Sequence, residues 1–196
     1  MSAIVKPTKV SYAEYLERER IATTKSEYYA GEVFAMAGAS RRHNSITGNV
    51  FAALYTKLAN SSCRPFLSDQ RIRISPLDLG TYPDLSVVCG QLEGDKVDPE
   101  AITNPRVLVE VLSDSTESYD RGKKFDFYRQ IDSLEEYVLV SQREPIVERF
   151  KRQPNGDWLL TVYKGLDASL ELISIQVELP LQDIYRFVDW STDVGD

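Results

Sequence analysis

The chain has 196 residues, a formal net charge of −7, 42% hydrophobic and 27% charged side chains, and that length lets one globular domain bury about 70% of the surface its unfolded form exposes. No apolar run approaches the roughly 20 residues of a membrane-spanning helix, and Met1-Ser2-Ala3-Ile4-Val5-Lys6-Pro7 lacks the apolar core of an export signal. The expectation is a single domain over residues 1–196, cytoplasmic and free of membrane. The acidic balance argues against a surface coated in basic charge for nucleic acid, because phosphate neutralisation supplies most non-specific affinity, although a local basic face stays open. Cys63 and Cys89 lack zinc-site spacing and read as reduced structural thiols.

A first helix is predicted over Thr8–Arg20, where Ser11-Tyr12-Ala13-Glu14 has the form of a capping box and Tyr12, Tyr15 and Leu16 share a face. Ser26–Tyr29 and Glu32–Met36 then read as a hairpin turning at Ala30-Gly31. Glu32 opens the second strand, where an edge carboxylate facing water is the commoner reading. From Ser40 to about Asn60, Ile46, Val50, Leu54 and Leu58 repeat down one helical face. The first turns of that helix hold Arg41, Arg42 and the single histidine, His43. A helix N-terminus favours anions, so the group is a candidate phosphate contact, although cations there oppose the helix dipole and a lone histidine is more often a capping or surface residue.

Arg64–Leu67 and Arg71–Ile74 look like strands, the second alternating charged and apolar side chains as a half-exposed strand does. Residues 75–80 and 91–105 read as loops. Between and after them come two apolar, β-branched runs, Tyr82–Val88 and Arg106–Ser113, each carrying one carboxylate, Asp84 and Glu110. An ionised side chain in a strand covered on both faces costs several kcal/mol unless a cation or a full set of donors meets it. Period-two alternation places Val107, Val109 and Val111 on one face and Leu108, Glu110 and Leu112 on the other. If the two strands are neighbours, Asp84 and Glu110 converge at one end of a sheet, a hard-oxygen site suited to Mg²⁺ or Mn²⁺.

A helix is favoured over Asp120–Ile131, with Asp120, Lys124 and Tyr128 on one stripe. There Asp120 and Lys124 form an ordinary surface ion pair, unless Lys124 leans toward the strand end that precedes it. Arg121, Lys123 and Lys124 follow the Glu110 strand, and Arg71 and Arg73 precede the Asp84 strand. With Arg42 and His43, residues Arg71, Arg73 and Lys123 are the candidate substrate contacts, against the plainer reading of solvated exteriors. The remainder is antiparallel β, with an Asn155-Gly156 turn, strand-like pieces at 170–173 and 176–179, a short helix from Pro180 and a loose tail from Ser191.

Taken together, Glu27, Gly31-Glu32, Met36, His43, Tyr82-Pro83-Asp84, Val109-Glu110-Val111-Leu112-Ser113, Ser115-Thr116, Asp120, Lys124, Tyr128 and Glu136-Tyr137 make the chain similar to the Uma-two family of restriction-endonuclease-like proteins, widespread in cyanobacterial genomes. The family resembles a branch of the PD-(D/E)XK nucleases. That resemblance implies an α/β fold, a mixed central β-sheet flanked by α-helices, here with added antiparallel hairpins. It implies Asp84 and Glu110 as catalytic acids and, with the Val111 carbonyl, as ligands of Mg²⁺ (or Mn²⁺). The superfamily lysine is expected where this chain has Leu112, which makes Lys124 its migrated substitute and Glu32 a further carboxylate. The activity implied is DNA phosphodiester hydrolysis by a homodimer; the alternative is a nuclease-fold module that binds nucleic acid or assembles with protein.

Overall fold

A computed structural model describes residues 9–190. The tail from Ser191, the leader at Met1–Pro7 and the predicted helix start at Thr8 lie outside these residues. Helix α1, Tyr12–Glu19, begins at the expected capping box: the Ser11 side chain accepts from the Glu14 N–H at 3.3 Å and the Glu14 carboxylate accepts from the Ser11 N–H at 2.8 Å. Its buried Tyr12 and Tyr15 pack on Tyr28 of β1 (Ser26–Tyr29). β2 (Glu32–Ala35) returns after Ala30 and Gly31, both at positive φ (48° and 95°), the two-residue turn whose twist suits a hairpin.

After α2 (Arg41–Lys57) and β3 (Cys63–Leu67), β4 (Ile72–Ile74) and β5 (Leu79–Thr81) join the hairpin in a four-stranded sheet of order β2-β1-β5-β4. Two expectations are corrected here. Residues 75–80 are not all loop, because Asp78 at φ 50° reverses the chain directly into β5, whose Leu-Gly-Thr is too short to show a period. Nor is β4 half-exposed. The Arg73 guanidinium lies 3.5 Å from the centre of the Tyr12 ring and 2.7 Å from Asp78 Oδ1, so its charge is buried with an aromatic face and a carboxylate.

The central sheet has six strands in the order β10-β9-β8-β7-β6-β3, comprising β6 (Leu85–Cys89), β7 (Val107–Leu112), β8 (Glu136–Ser141), β9 (Ile146–Arg152) and β10 (Trp158–Lys164) beside β3. Only β7 and β8 run parallel among these pairs, and the crossover between them is helical. Val107, Val109 and Val111 pack with Ile46, Val50 and Leu54 of α2 on one side, together with the ribbon β11 (Ser169–Leu172) and β12 (Val177–Pro180) and helix α5 (Leu181–Ile184). Leu108 and Leu112 join Phe125, Tyr128 and Tyr137 on the other. The expected mixed sheet with flanking helices and antiparallel hairpins is therefore the architecture observed.

The crossover helix differs in detail from its prediction. It comprises α3 (Glu117–Tyr119), a π-helical turn over Asp120–Lys124 and α4 (Phe125–Tyr128). Cys63 and Cys89 also differ: directly opposed across β3 and β6, they are joined as a disulfide and are not reduced thiols. Their spacing along the chain could not reveal this, because the antiparallel register is what brings them together. No helix among the described residues is long and apolar enough to cross a membrane.

Candidate active site

Antiparallel pairing of β6 with β7 sets Leu85 against Val109, and one step further along the same register Asp84 stands opposite Glu110. The Asp84 N–H points at Glu110 Oε2 across 3.4 Å. Asp84 Oδ2 accepts a 2.7 Å bond from the Val111 N–H and lies 3.0 Å from His43 Nε2, while Thr47 Oγ1 sits 3.4 Å from the other ring nitrogen of His43. His43 reaches this point because Ser40 caps α2, accepting the His43 N–H at 3.0 Å. Ser40 is itself tied to Gln142, which donates to the Leu112 carbonyl at 2.9 Å, so the start of α2 is stitched to the end of β7.

Glu110 is buried on the crossover-helix side of the sheet, as its alternation with Leu108 and Leu112 predicts. Its Oε1 takes a 2.8 Å bond from the Tyr128 hydroxyl and an ion pair of 2.9 Å from Lys124 Nζ. The same ammonium lies 3.5 Å from Asp120 Oδ1 and 3.9 Å from Glu27 Oε1. Lys124 and Asp120 thus face inward from the π-helical turn, a local widening of a kind often found at functional sites. They do not form the solvated surface pair that spacing alone favours.

Burial pushes the Glu110 carboxyl well up, Lys124 pulls it down, and Asp120 and Asp84 push it further up. Burial would lower the Lys124 amine, but Glu110, Glu27 and Asp120 outweigh it and hold the ammonium well above its ordinary value. Asp120 is raised by burial against the pull of Lys124. At the mouth, burial and then the charge of Glu27 push the Tyr119 hydroxyl up to about 12. Glu27, Glu110 and Asp120 share the one ammonium of Lys124 and Asp84 lies against Glu110, a crowding of carboxyl groups that a cation would relieve.

The donor chemistry fits a divalent ion of the hard kind. Among the described residues no group of three or more His, Cys, Asp or Glu side chains is arranged to hold a metal ion. Mg²⁺ does not require one, since it is commonly held by one or two carboxylates with water and substrate oxygens completing its shell. Asp84 Oδ1 accepts no hydrogen bond from any described residue, and Glu110 Oε2 has only the long contact from the Asp84 amide, so both keep lone pairs for such an ion. Side-chain exposure rises from 4% at Glu110 to 14% at Glu27 and 17% at Asp84, so access is from the Asp84 side.

Other sequence candidates fall elsewhere. Glu32 is exposed on the edge strand β2 and has no described contact with the cluster; the hairpin carboxylate that reaches Lys124 is Glu27, which also accepts from Thr81 Oγ1 and the Tyr82 N–H. The sequence signal for this was the neighbouring Tyr28. With Tyr28 packed under α1, alternation turns Glu27 to the opposite, covered face. Arg42 clamps the Gln142 and Asp189 carbonyls and stacks over Trp190. Arg71 is spent on Asp98 and Tyr82, and Arg73 on Asp78 and Tyr12. Of the basic candidates, Lys123 stays exposed, its amine 4.9 Å from the centre of the Tyr29 ring.

Residues 12–182 match the model of the Uma2 family, described as "Putative restriction endonuclease". Two proteins of Synechocystis sp. (strain ATCC 27184 / PCC 6803 / Kazusa), the uncharacterized proteins sll1609 and slr1290, are each 37% identical to the chain. The first aligns over 175 residues, 89% of this chain and 99% of the relative, and the second over 178 residues, 91% and 92%. A crystal structure described as a putative nuclease belonging to DUF820 from Anabaena variabilis ATCC 29413 shares the fold. Its TM-score is 0.72 at 18% identity, over 90% of this chain and 97% of that one.

Proposed function

We propose, from the premise that this chain belongs to the Uma2 family of restriction-endonuclease type, that it is a Mg²⁺- or Mn²⁺-dependent endonuclease hydrolysing DNA phosphodiester bonds. The observation that carries this reading is the opposition of Asp84 and Glu110 across β6 and β7 beside a buried lysine. A pure scaffold has no use for so much buried negative charge, which apolar residues would replace at little cost or with a gain in stability.

In this reading Asp84 and Glu110 hold the metal, with the Val111 carbonyl beside them. A divalent ion there supplies Lewis acidity toward water and toward a phosphate oxygen. Lys124 keeps Glu110 in place through the 2.9 Å pair and offsets negative charge that builds on the attacked phosphate. Tyr128 holds the same carboxylate oxygen by a 2.8 Å hydrogen bond, and His43 with the Val111 amide fixes Asp84. Lys124 fills the role that Leu112, buried in the apolar cluster two residues after Glu110, does not. A two-fold homodimer is the simplest assembly for the working enzyme.

The test is nicking of supercoiled plasmid in Mg²⁺ and in Mn²⁺ by wild type, Asp84→Ala and Glu110→Gln, with thermal melts of each protein in metal and in EDTA. Conversion by wild type alone, lost in EDTA, and a metal-dependent rise in its melting temperature absent from both variants are expected. Equal background nicking in all three proteins, with no metal-dependent shift, would leave a nuclease-fold module for binding or assembly.

A further inference from the structure

The hairpin wall of the site presents an exposed aromatic ring to solvent. Phe34 of β2 pairs directly with Glu27 of β1, so the two side chains leave the same face of the hairpin about 5 Å apart. Glu27 is the carboxylate 3.9 Å from Lys124 Nζ. Phe34 is 47% exposed and has no ring partner among the described residues, unlike Tyr29 two positions beyond Glu27, which stacks on Phe127. Beyond Phe34 the chain continues through the mostly exposed Ala35-Met36-Ala37-Gly38-Ala39 into the helix that delivers His43. Tyr119, in the helix that carries Lys124, is also exposed, at 36%.

Means of gripping a duplex by its phosphates are sparse here. Arg42, Arg71 and Arg73 are committed to internal partners, Arg121 is paired with Glu117 and Glu148, and of the basic candidates Lys123 stays exposed, in a chain of net charge −7. A protein lacking a cationic groove loses the counterion-release term that dominates duplex affinity. Stacking of a base on an aromatic ring adds to phosphate contacts and is open only to an unpaired base.

We propose that Phe34 is a stacking platform for an unpaired nucleobase and that the substrate class is single-stranded nucleic acid, or a strand locally opened, entering past Phe34. This deepens the nuclease reading and rests on it. A base seated on Phe34 lies beside Glu27, the carboxylate 3.9 Å from Lys124 Nζ, and so next to the charged cluster.

Binding without turnover separates this inference from catalysis. In EDTA at low ionic strength, fluorescence anisotropy with dye-labelled oligo-dT and with a hairpin duplex of equal nucleotide length should show tighter binding of the single strand. Phe34→Ala should weaken the single-strand complex by on the order of tenfold, the worth of one base–aromatic stack, Phe34→Trp should retain it, and neither should move the melting temperature by more than a degree or so, since the side chain is half in water. A 2-aminopurine base in the oligonucleotide should be quenched by wild type and not by Phe34→Ala. Tighter binding of duplex, or single-strand affinity unchanged in Phe34→Ala, overturns the proposal whether or not the plasmid is cut. Loss of cutting with these binding results intact would instead strike the hydrolytic reading alone.

Discussion

Lys124 Nζ meets Glu110 Oε1 at 2.9 Å in the least accessible part of the cluster, one charge arriving from a π-helical turn and the other from the central strand β7. Breaking such a pair from one side leaves an uncompensated buried charge, whereas removing both charges leaves none. Lys124→Met should therefore lower the unfolding free energy by about 3–5 kcal/mol. Adding Glu110→Gln to it should restore part of that loss. Urea unfolding of the wild type, both single variants and the double variant forms the cycle, and strict additivity would show that the two groups do not depend on each other.

The sheet-end meeting of Asp84 and Glu110 was legible because each lies in a β-branched run too apolar to be a surface strand, and alternation alone assigns Glu110 to the face of Leu108 and Leu112. What single residues do depended on contacts that no local pattern holds. Arg73 sits in an alternating strand that reads as half-exposed, yet Tyr12, from a helix more than fifty positions earlier, supplies the ring that buries it. Glu32 and Glu27 are both hairpin acids, and what separates them is which one the crossover helix covers. The π-turn that draws Asp120 inward leaves no trace in a 3.6-residue period.

His43 Nε2 lies 3.0 Å from Asp84 Oδ2, so in the proposed metal site it would act as a positioning residue. Groups that orient a ligand carboxylate typically tune metal affinity by 10- to 100-fold. His43→Ala should raise the Mn²⁺ concentration at the midpoint of the metal-dependent melting shift by about that factor. His43→Gln, whose amide can donate from nearly the same place as Nε2, should recover most of it. An unchanged midpoint in His43→Ala would reduce the residue to a helix-cap neighbour.

The Cys63–Cys89 bond closes a loop of sequence separation 26 and ties edge strand β3 to β6, the strand that Asp84 introduces. Chain-entropy reasoning gives a bond across a loop of that size about 3–4 kcal/mol, an upper figure where the native geometry resists. Dithiothreitol should lower the urea midpoint of the wild type and leave that of Cys63→Ser unchanged. Rapid alkylation of both thiols in the native protein without reductant would show that they are not joined.

Asp120 supplies a prediction in pH. Burial raises its carboxyl above the ordinary 3.8, despite the ammonium of Lys124 at 3.5 Å. Between the ordinary and the raised value the native state holds a proton that the unfolded chain has released, so stability falls as pH climbs through that window and stays reduced above it. Asp120→Asn keeps the shape and cannot ionise, so this part of the decline vanishes. Urea midpoints of the two proteins should be nearly equal below the ordinary carboxylate range and separate as pH rises, with the variant the more stable at pH 8. The ordering has a direct physical reading: with Asp120 neutralised, Lys124 still faces Glu110 and Glu27, and the cluster has lost one of its mutually repelling charges. Should the variant prove less stable at pH 8, the pull of Lys124 on Asp120 exceeds the cost of its burial, and the excess negative charge that favours a divalent ion would be smaller than the four acids suggest.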